Sequence, residues 1–109
     1  MQPQGHVQVL LNMLAFKHNP QQALDAPRFL IGAEEMPGDG NGRTVFLEEG
    51  IKEEVVEKMR AMGHEVKVVK GYDRALFGRG QLIRCHVEDG TVVYSGGSDP
   101  RGDGAAYPG

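Results

Sequence analysis

The segment Asn19-Pro20-Gln21-Gln22-Ala23-Leu24-Asp25-Ala26-Pro27 fixes both ends of a helix within a few residues. Asn19 suits the N-cap, because its side chain can accept from a first-turn N–H that has no partner inside the helix. Pro20 fits the first helical position, where its missing N–H costs nothing. Pro27 disfavours helical backbone at Ala26 and marks the stop. Just upstream, Val7, Leu10, Leu11 and Leu14 recur at helical spacing, with Val9, Met13 and Phe16 widening the apolar face. That stripe is broad enough for burial on more than one side. Met1-Gln2-Pro3-Gln4-Gly5 supplies no strong N-cap, as if the natural beginning of this first helix lay upstream. Two helices in close succession therefore open the chain.

Glycine punctuates the rest of the chain. There are 16 glycines in 109 residues, about twice the average usage of roughly 7%. Many fall between Gly38 and Gly42 or between Gly96 and Gly109, so they mark loops. Met36 to Arg43 reads as a glycine-rich turn region. Thr44 to Glu48 has the β propensity of a strand. Lys52 to Met62 is an amphipathic helix whose Ile51, Val55, Met59 and Met62 share one face, joined by Val56. Glu48, Glu49, Glu53 and Glu54 lie at or near its positive N-terminal end, and Gly63 is placed to close it in a left-handed conformation. Glu65 to Val69 alternates as a strand, and Lys70 to Arg79 reads as a loop. Gln81 to Val87 and Thr91 to Tyr94 are strands joined by the hairpin signal Glu88-Asp89-Gly90. Residues 96–109 read as a loop or frayed tail. The expected order is α-α-β-α-β-β-β, an α/β (α+β) layered domain over residues 1–109 with a mostly antiparallel sheet.

Charge and motif content exclude several classes. A net charge of −3 argues against nucleic-acid binding, which needs a basic face. No apolar run approaches the roughly 20 residues that span a bilayer, and Met1 to His6 has neither the basic start nor the apolar run of a leader. The compartment is left open. Cys85 has no second cysteine to pair with and reads as a buried thiol; a catalytic role is disfavoured because neighbouring His86 points to the opposite strand face. The histidines His6, His18, His64 and His86 form no metal-binding pair on a helix, so no metal or cofactor is expected. Gly38-Asp39-Gly40 and Gly78-Arg79-Gly80 read as turns rather than phosphate loops. Arg101-Gly102-Asp103 matches an adhesion tripeptide of the kind that arises by chance.

Two constellations stand out. In Ala26-Pro27-Arg28 and Ser98-Asp99-Pro100-Arg101, a proline fixes the backbone so that the next arginine emerges in a defined direction. A guanidinium is a planar fork suited to bidentate pairing. Arg28 and Arg101, the latter with Asp99, are read as structural ion pairs or as donors to backbone carbonyls. Direct contact with a substrate is the other reading.

The motifs taken together resemble one family. Met1-Gln-Pro-Gln-Gly-His-Val-Gln-Val-Leu-Leu-Asn12 and Asn19-Pro-Gln-Gln-Ala-Leu-Asp-Ala-Pro-Arg28 are similar to segments of the γ-glutamyltranspeptidases. So are Gly50-Ile51, Gly63-His64, Phe77-Gly78-Arg79-Gly80-Gln81 and Gly97-Ser98-Asp99-Pro100-Arg101. They fall in family order, cover nearly the whole chain, and are specific as a set.

The resemblance implies an αββα sandwich of the N-terminal-nucleophile hydrolases, and a precursor that cleaves itself into a large and a small subunit. The new N-terminal threonine attacks a γ-glutamyl amide such as glutathione, with its own amine as base. The γ-glutamyl group then passes to water or an amino acid, and a glycine pair stabilises the oxyanion. None of these parts maps onto this sequence. Thr44 and Thr91 are internal and have no free α-amine. The nucleophile, the substrate-gripping serines and the glycine pair are expected upstream of Met1, so no catalytic residue is carried over. The chain is expected to be the C-terminal scaffold of the small subunit and inactive alone. Met1, Gln2 and Gln4 are expected near the pocket without a chemical role. Its implied partners are the large subunit and the rest of the small subunit. In isolation the piece is expected to self-associate through exposed apolar surface and an unpaired strand edge. A family acylase acting on cephalosporins or poly-γ-glutamate is an alternative parent. A stand-alone, non-catalytic interaction domain is the alternative of a different class.

Overall fold

The computed structural model describes residues 2–32 and 43–107. The glycine-rich turn around Gly38 to Gly42, together with Met1, lies outside the described residues. The chain is α+β, and its contacts group it into two compact units, residues 27–77 and residues 2–26 with 78–109.

In the unit of residues 27–77, strand β1 (Phe29–Ile31) pairs antiparallel with β2 (Val45–Glu48), and β2 pairs in parallel with β3 (Val66–Val69). The parallel step needs a crossover, and helix α1 (Glu53–Ala61) supplies it. Central strand β2 is buried along its length. Its alternation sends Val45 and Leu47 toward the helix side, where they pack with Val56, Val66, Ile51 and Met59. Phe46 faces the other way, against Leu30, Phe77, Val69 and Leu76. The packed face of α1 is therefore centred on Val56 and Met59; Val55 and Met62, expected on that face, are exposed. Gly63 closes the helix at φ +94°, as expected.

Three sequence expectations change here. β1 went unread, because a three-residue strand has no local signature and exists through its pairing with β2. The segment read as a loop contains a 3₁₀ helix, Gly71–Phe77, anchored by fully buried Phe77. Glu48 does not serve a helix N-terminus. It is the buried last residue of β2, where its carboxylate accepts from the Arg28 N–H at 3.0 Å and lies 3.6 Å from the Arg74 guanidinium.

The other unit holds helix α2 (Gln2–Leu14), helix α3 (Pro20–Asp25) and a hairpin of strands β4 (Gln81–Glu88) and β5 (Thr91–Ser98). Asn19 caps α3 as read: its side chain accepts from the Gln22 N–H at 2.8 Å, and the Gln22 side chain accepts from the Asn19 N–H at 3.0 Å. The hairpin turns through Asp89 (φ +48°) and Gly90 (φ +77°), the two positive angles of a type I′ turn. Its register pairs Glu88 with Thr91 and Gln81 with Ser98. β5 thus continues to Ser98, beyond the Tyr94 limit read from sequence and into the segment taken as tail. The core is Val9, Ala23 and Leu24, with Met13 and Leu82 against them. Of the apolar residues of α2, Val9 and Met13 pack into this core. Val7, Leu10, Leu11, Leu14 and Phe16, read as the buried face, are exposed. No helix among the described residues is long and apolar enough to cross a membrane.

Candidate functional site

Three of the motifs picked out in the sequence meet in the unit built on the hairpin. They form a clasp around α3. A short helix leaves its last carbonyls without helical partners. Arg101 takes two of them: Nη1 donates to the Leu24 oxygen at 2.8 Å and Nη2 to the Ala26 oxygen at 3.1 Å. Nη1 also lies 2.9 Å from Asp99 Oδ1, and the two side chains are 2% and 0% exposed.

Both Asp99 carboxylate oxygens are bonded in turn. Its Oδ1 accepts from the Arg101 N–H at 2.9 Å, the geometry of an Asx turn, and its Oδ2 accepts from the Gly80 N–H at 2.7 Å. The Asp99 N–H donates back to the Gly80 oxygen at 3.1 Å. A buried ion pair tolerates loss of water when further donors and acceptors engage its two charges, and here both Asp99 oxygens and both terminal nitrogens of Arg101 are bonded.

The opposite end of α3 is held through Gln21. Its side-chain amide donates to the Ser98 oxygen at 2.8 Å and accepts from the Ser98 N–H at 3.0 Å. This is the bonding of a neighbouring strand supplied by one side chain, at the end of β5. Gly97 permits the approach: a Cβ there would lie 2.9 Å from the Gln21 nitrogen and the Pro20 carbonyl carbon.

The structure therefore brings Asp99 and Arg101 together. Arg28 belongs to the other unit, where Nη1 donates to the Phe77 oxygen at 3.1 Å. Gln2 and Gln4 lie in the first turn of α2, exposed and half-buried. The burial of Arg101 removes the adhesion reading of Arg101-Gly102-Asp103, because its cation is not available to a receptor. Cys85 is exposed rather than buried. Among the described residues no group of three potential metal ligands is present.

One constellation was missed in the sequence. Ser95 Oγ lies 2.8 Å from His86 Nε2, and His86 Nδ1 lies 3.5 Å from Glu88 Oε1. The signal was available. A two-residue turn at Asp89-Gly90 pairs residue 86 with 93, and alternation puts 95 on the same face, one diagonal step away. Histidine pairs on helices are a different pattern and do not reveal it.

An α+β chain in which three of the motif segments meet at a buried acid–base clasp matches one family along its full length. The Gamma-glutamyltranspeptidase family model covers residues 1–109. The chain is 36% identical over 108 residues to the Glutathione hydrolase-like YwrD proenzyme of Bacillus subtilis (strain 168), covering 96% of this chain and 19% of that protein. It is 39% identical to cephalosporin acylase from Bacillus halodurans, with TM-score 0.74, covering 98% of this chain and 18% of that one. An acivicin-inhibited gamma-glutamyltranspeptidase shares the fold at 21% identity and TM-score 0.73, covering 92% of this chain and 47% of that chain. The chain belongs to the γ-glutamyltranspeptidase family, and its fold is that of these N-terminal-nucleophile hydrolases. It spans about a fifth of the length of the curated relative that it matches.

Proposed function

We propose that residues 1–109 are the C-terminal scaffold of the small subunit of a γ-glutamyltransferase or glutathione hydrolase. In the whole enzyme an N-terminal threonine carries the γ-glutamyl group to water or an amino acid. The clasp carries this reading, because three family motifs far apart in sequence have one shared physical purpose there. Arg101 and Asp99 hold α3 and the start of β4, and α3 supports α2 through Val9 and Leu24. In the whole enzyme α2 would stand behind the oxyanion glycines, with Met1, Gln2 and Gln4 near the pocket. The large subunit and the remainder of the small subunit are its partners. In one solved relative the C-terminus has critical roles in autoprocessing and catalysis, consistent with a scaffold on which processing depends.

The test is kinetic. In the full-length enzyme, Arg101→Ala should reduce self-cleavage or soluble yield while leaving the KM for a γ-glutamyl anilide within about twofold. A raised KM with normal processing reassigns Arg101 to substrate binding. Residues 1–109 alone should not turn over the anilide; turnover overturns the reading. The identity to the cephalosporin acylase favours a second reading, an acylase parent. Assaying the full-length enzyme with a cephalosporin side-chain amide beside the anilide separates the two.

A further inference from the structure

The Ser95–His86–Glu88 constellation belongs to no part of the scaffold role. The Ser95 hydroxyl sits at 2.8 Å from His86 Nε2, a full-strength hydrogen-bond distance. On the far side of the ring, the Glu88 carboxylate faces Nδ1 at 3.5 Å. The tautomer with its proton on Nδ1, toward Glu88, leaves Nε2 to accept the Ser95 proton. Nucleophile, base and orienting acid thus stand in the order that activates a serine. The His86 side chain is 26% exposed, held by its neighbours yet open to solvent.

We propose that Ser95 is an acylation site that takes an acyl group from an activated ester, with His86 as its base and Glu88 as a positioning residue. In the step, Ser95 Oγ attacks the ester carbonyl carbon and forms the Oγ–C bond. Its proton passes to His86 Nε2. The tetrahedral intermediate collapses, the carbon–aryloxide bond breaks, and the aryloxide leaves with the electron pair. The imidazolium then returns its proton to solvent. None of the three side chains is an oxyanion donor, and such a donor contributes about 10²–10³ in rate. The aryl ester compensates with a good leaving group, whereas the acyl-serine is an unactivated alkyl ester whose hydrolysis lacks that help, so the readout is labelling of Ser95 rather than turnover. This proposal is independent of the γ-glutamyl reading.

The probe is p-nitrophenyl acetate on the full chain, with peptide mass mapping of the product. Ser98 is the internal reference: its hydroxyl accepts from Gln81 Nε2 at 2.9 Å and has no base in that bond. Ser95 should acquire acetyl at least about tenfold faster than Ser98, since a positioned base contributes about 10²–10⁴. His86→Gln should remove that advantage. Glu88→Gln should slow acetylation while leaving the melting temperature unchanged, and Glu88→Asp should restore part of the rate. Equal acetylation of Ser95 and Ser98, or undiminished Ser95 labelling in His86→Gln, overturns the proposal. The comparison of two serines in one unmodified chain stands even if a variant fails to fold.

Discussion

Arg101 reaches three oxygens with two nitrogens, and the geometry of the guanidinium decides what can replace it. Its Nη1 and Nη2 donate to carbonyls two residues apart at the end of α3 while the same group faces Asp99. Arg101→Ala leaves the Asp99 charge buried without its cation, a change that destabilises by roughly 3–5 kcal/mol. Arg101→Lys keeps the charge but not the fork, so it should recover only part of the loss. Urea denaturation of the three proteins checks the order wild type, Lys, Ala; a lysine variant as stable as wild type shows that charge alone suffices. Gly97 is constrained by space, not by conformation. A methyl group at 2.9 Å from the α3 backbone must push helix and strand apart, and overpacking of this kind costs about 1–3 kcal/mol. Gly97→Ala should lower the thermal midpoint, whereas Gly90→Ala, with nothing near its Cβ, should act only through its positive φ. The proline-directed arginine at 101 was visible in the sequence as a group aimed somewhere. Its acceptors were not, because Leu24 and Ala26 lie more than seventy positions upstream and nothing local names them.

Elements defined by their own residues were legible, and elements defined by a partner were not. α3 was readable to its ends because Asn19, Pro20 and Pro27 each act within one turn, and the Asn19 cap has the predicted place; the return bond from the Gln22 side chain was not read. Asn19→Ala should therefore cost about 1 kcal/mol, seen as a lower denaturation midpoint; restoration by Asn19→Asp would tie the loss to the cap. The hairpin was readable for the same reason, since Asp89-Gly90 alone sets its turn. β1 was not, because Phe29–Ile31 becomes a strand only beside β2. The extension of β5 to Ser98 was hidden by Gly96 and Gly97, residues that look like loop, although Gly97 is required here by the close approach of α3. α2 shows the complementary failure. Its periodicity announced a helix correctly, but periodicity cannot say which apolar face its neighbours will take. The neighbours took Val9 and Met13 and left the larger stripe uncovered.

At the scale of the whole molecule, that uncovered surface has a consequence for the chain in solution. Leu14 and Phe16 are 74% and 67% exposed on and just beyond α2, beside Val7, Leu10 and Leu11. On the hairpin, Ile83, Val87, Val92 and Tyr94 are exposed as well, and the register places Val87 opposite Val92 and Cys85 opposite Tyr94 on one face. A single exposed leucine needs no explanation, but a contiguous apolar face does. Each kcal/mol lost to hydration of such a face is recovered when two faces meet, at about 25 cal/mol per Å² of apolar surface removed from water. Relatives that are up to about five times longer have chain available to cover these positions; residues 1–109 in isolation have only one another. The isolated chain should therefore self-associate, with a light-scattering mass that rises across a concentration series. Leu14→Lys together with Phe16→Lys should shift the mass back toward the monomer without changing the far-ultraviolet circular dichroism, because neither side chain is buried in the fold. A mass that stays monomeric at every concentration in the unmodified chain would show that these faces are tolerated in water, and the case for a missing cover would fail with it.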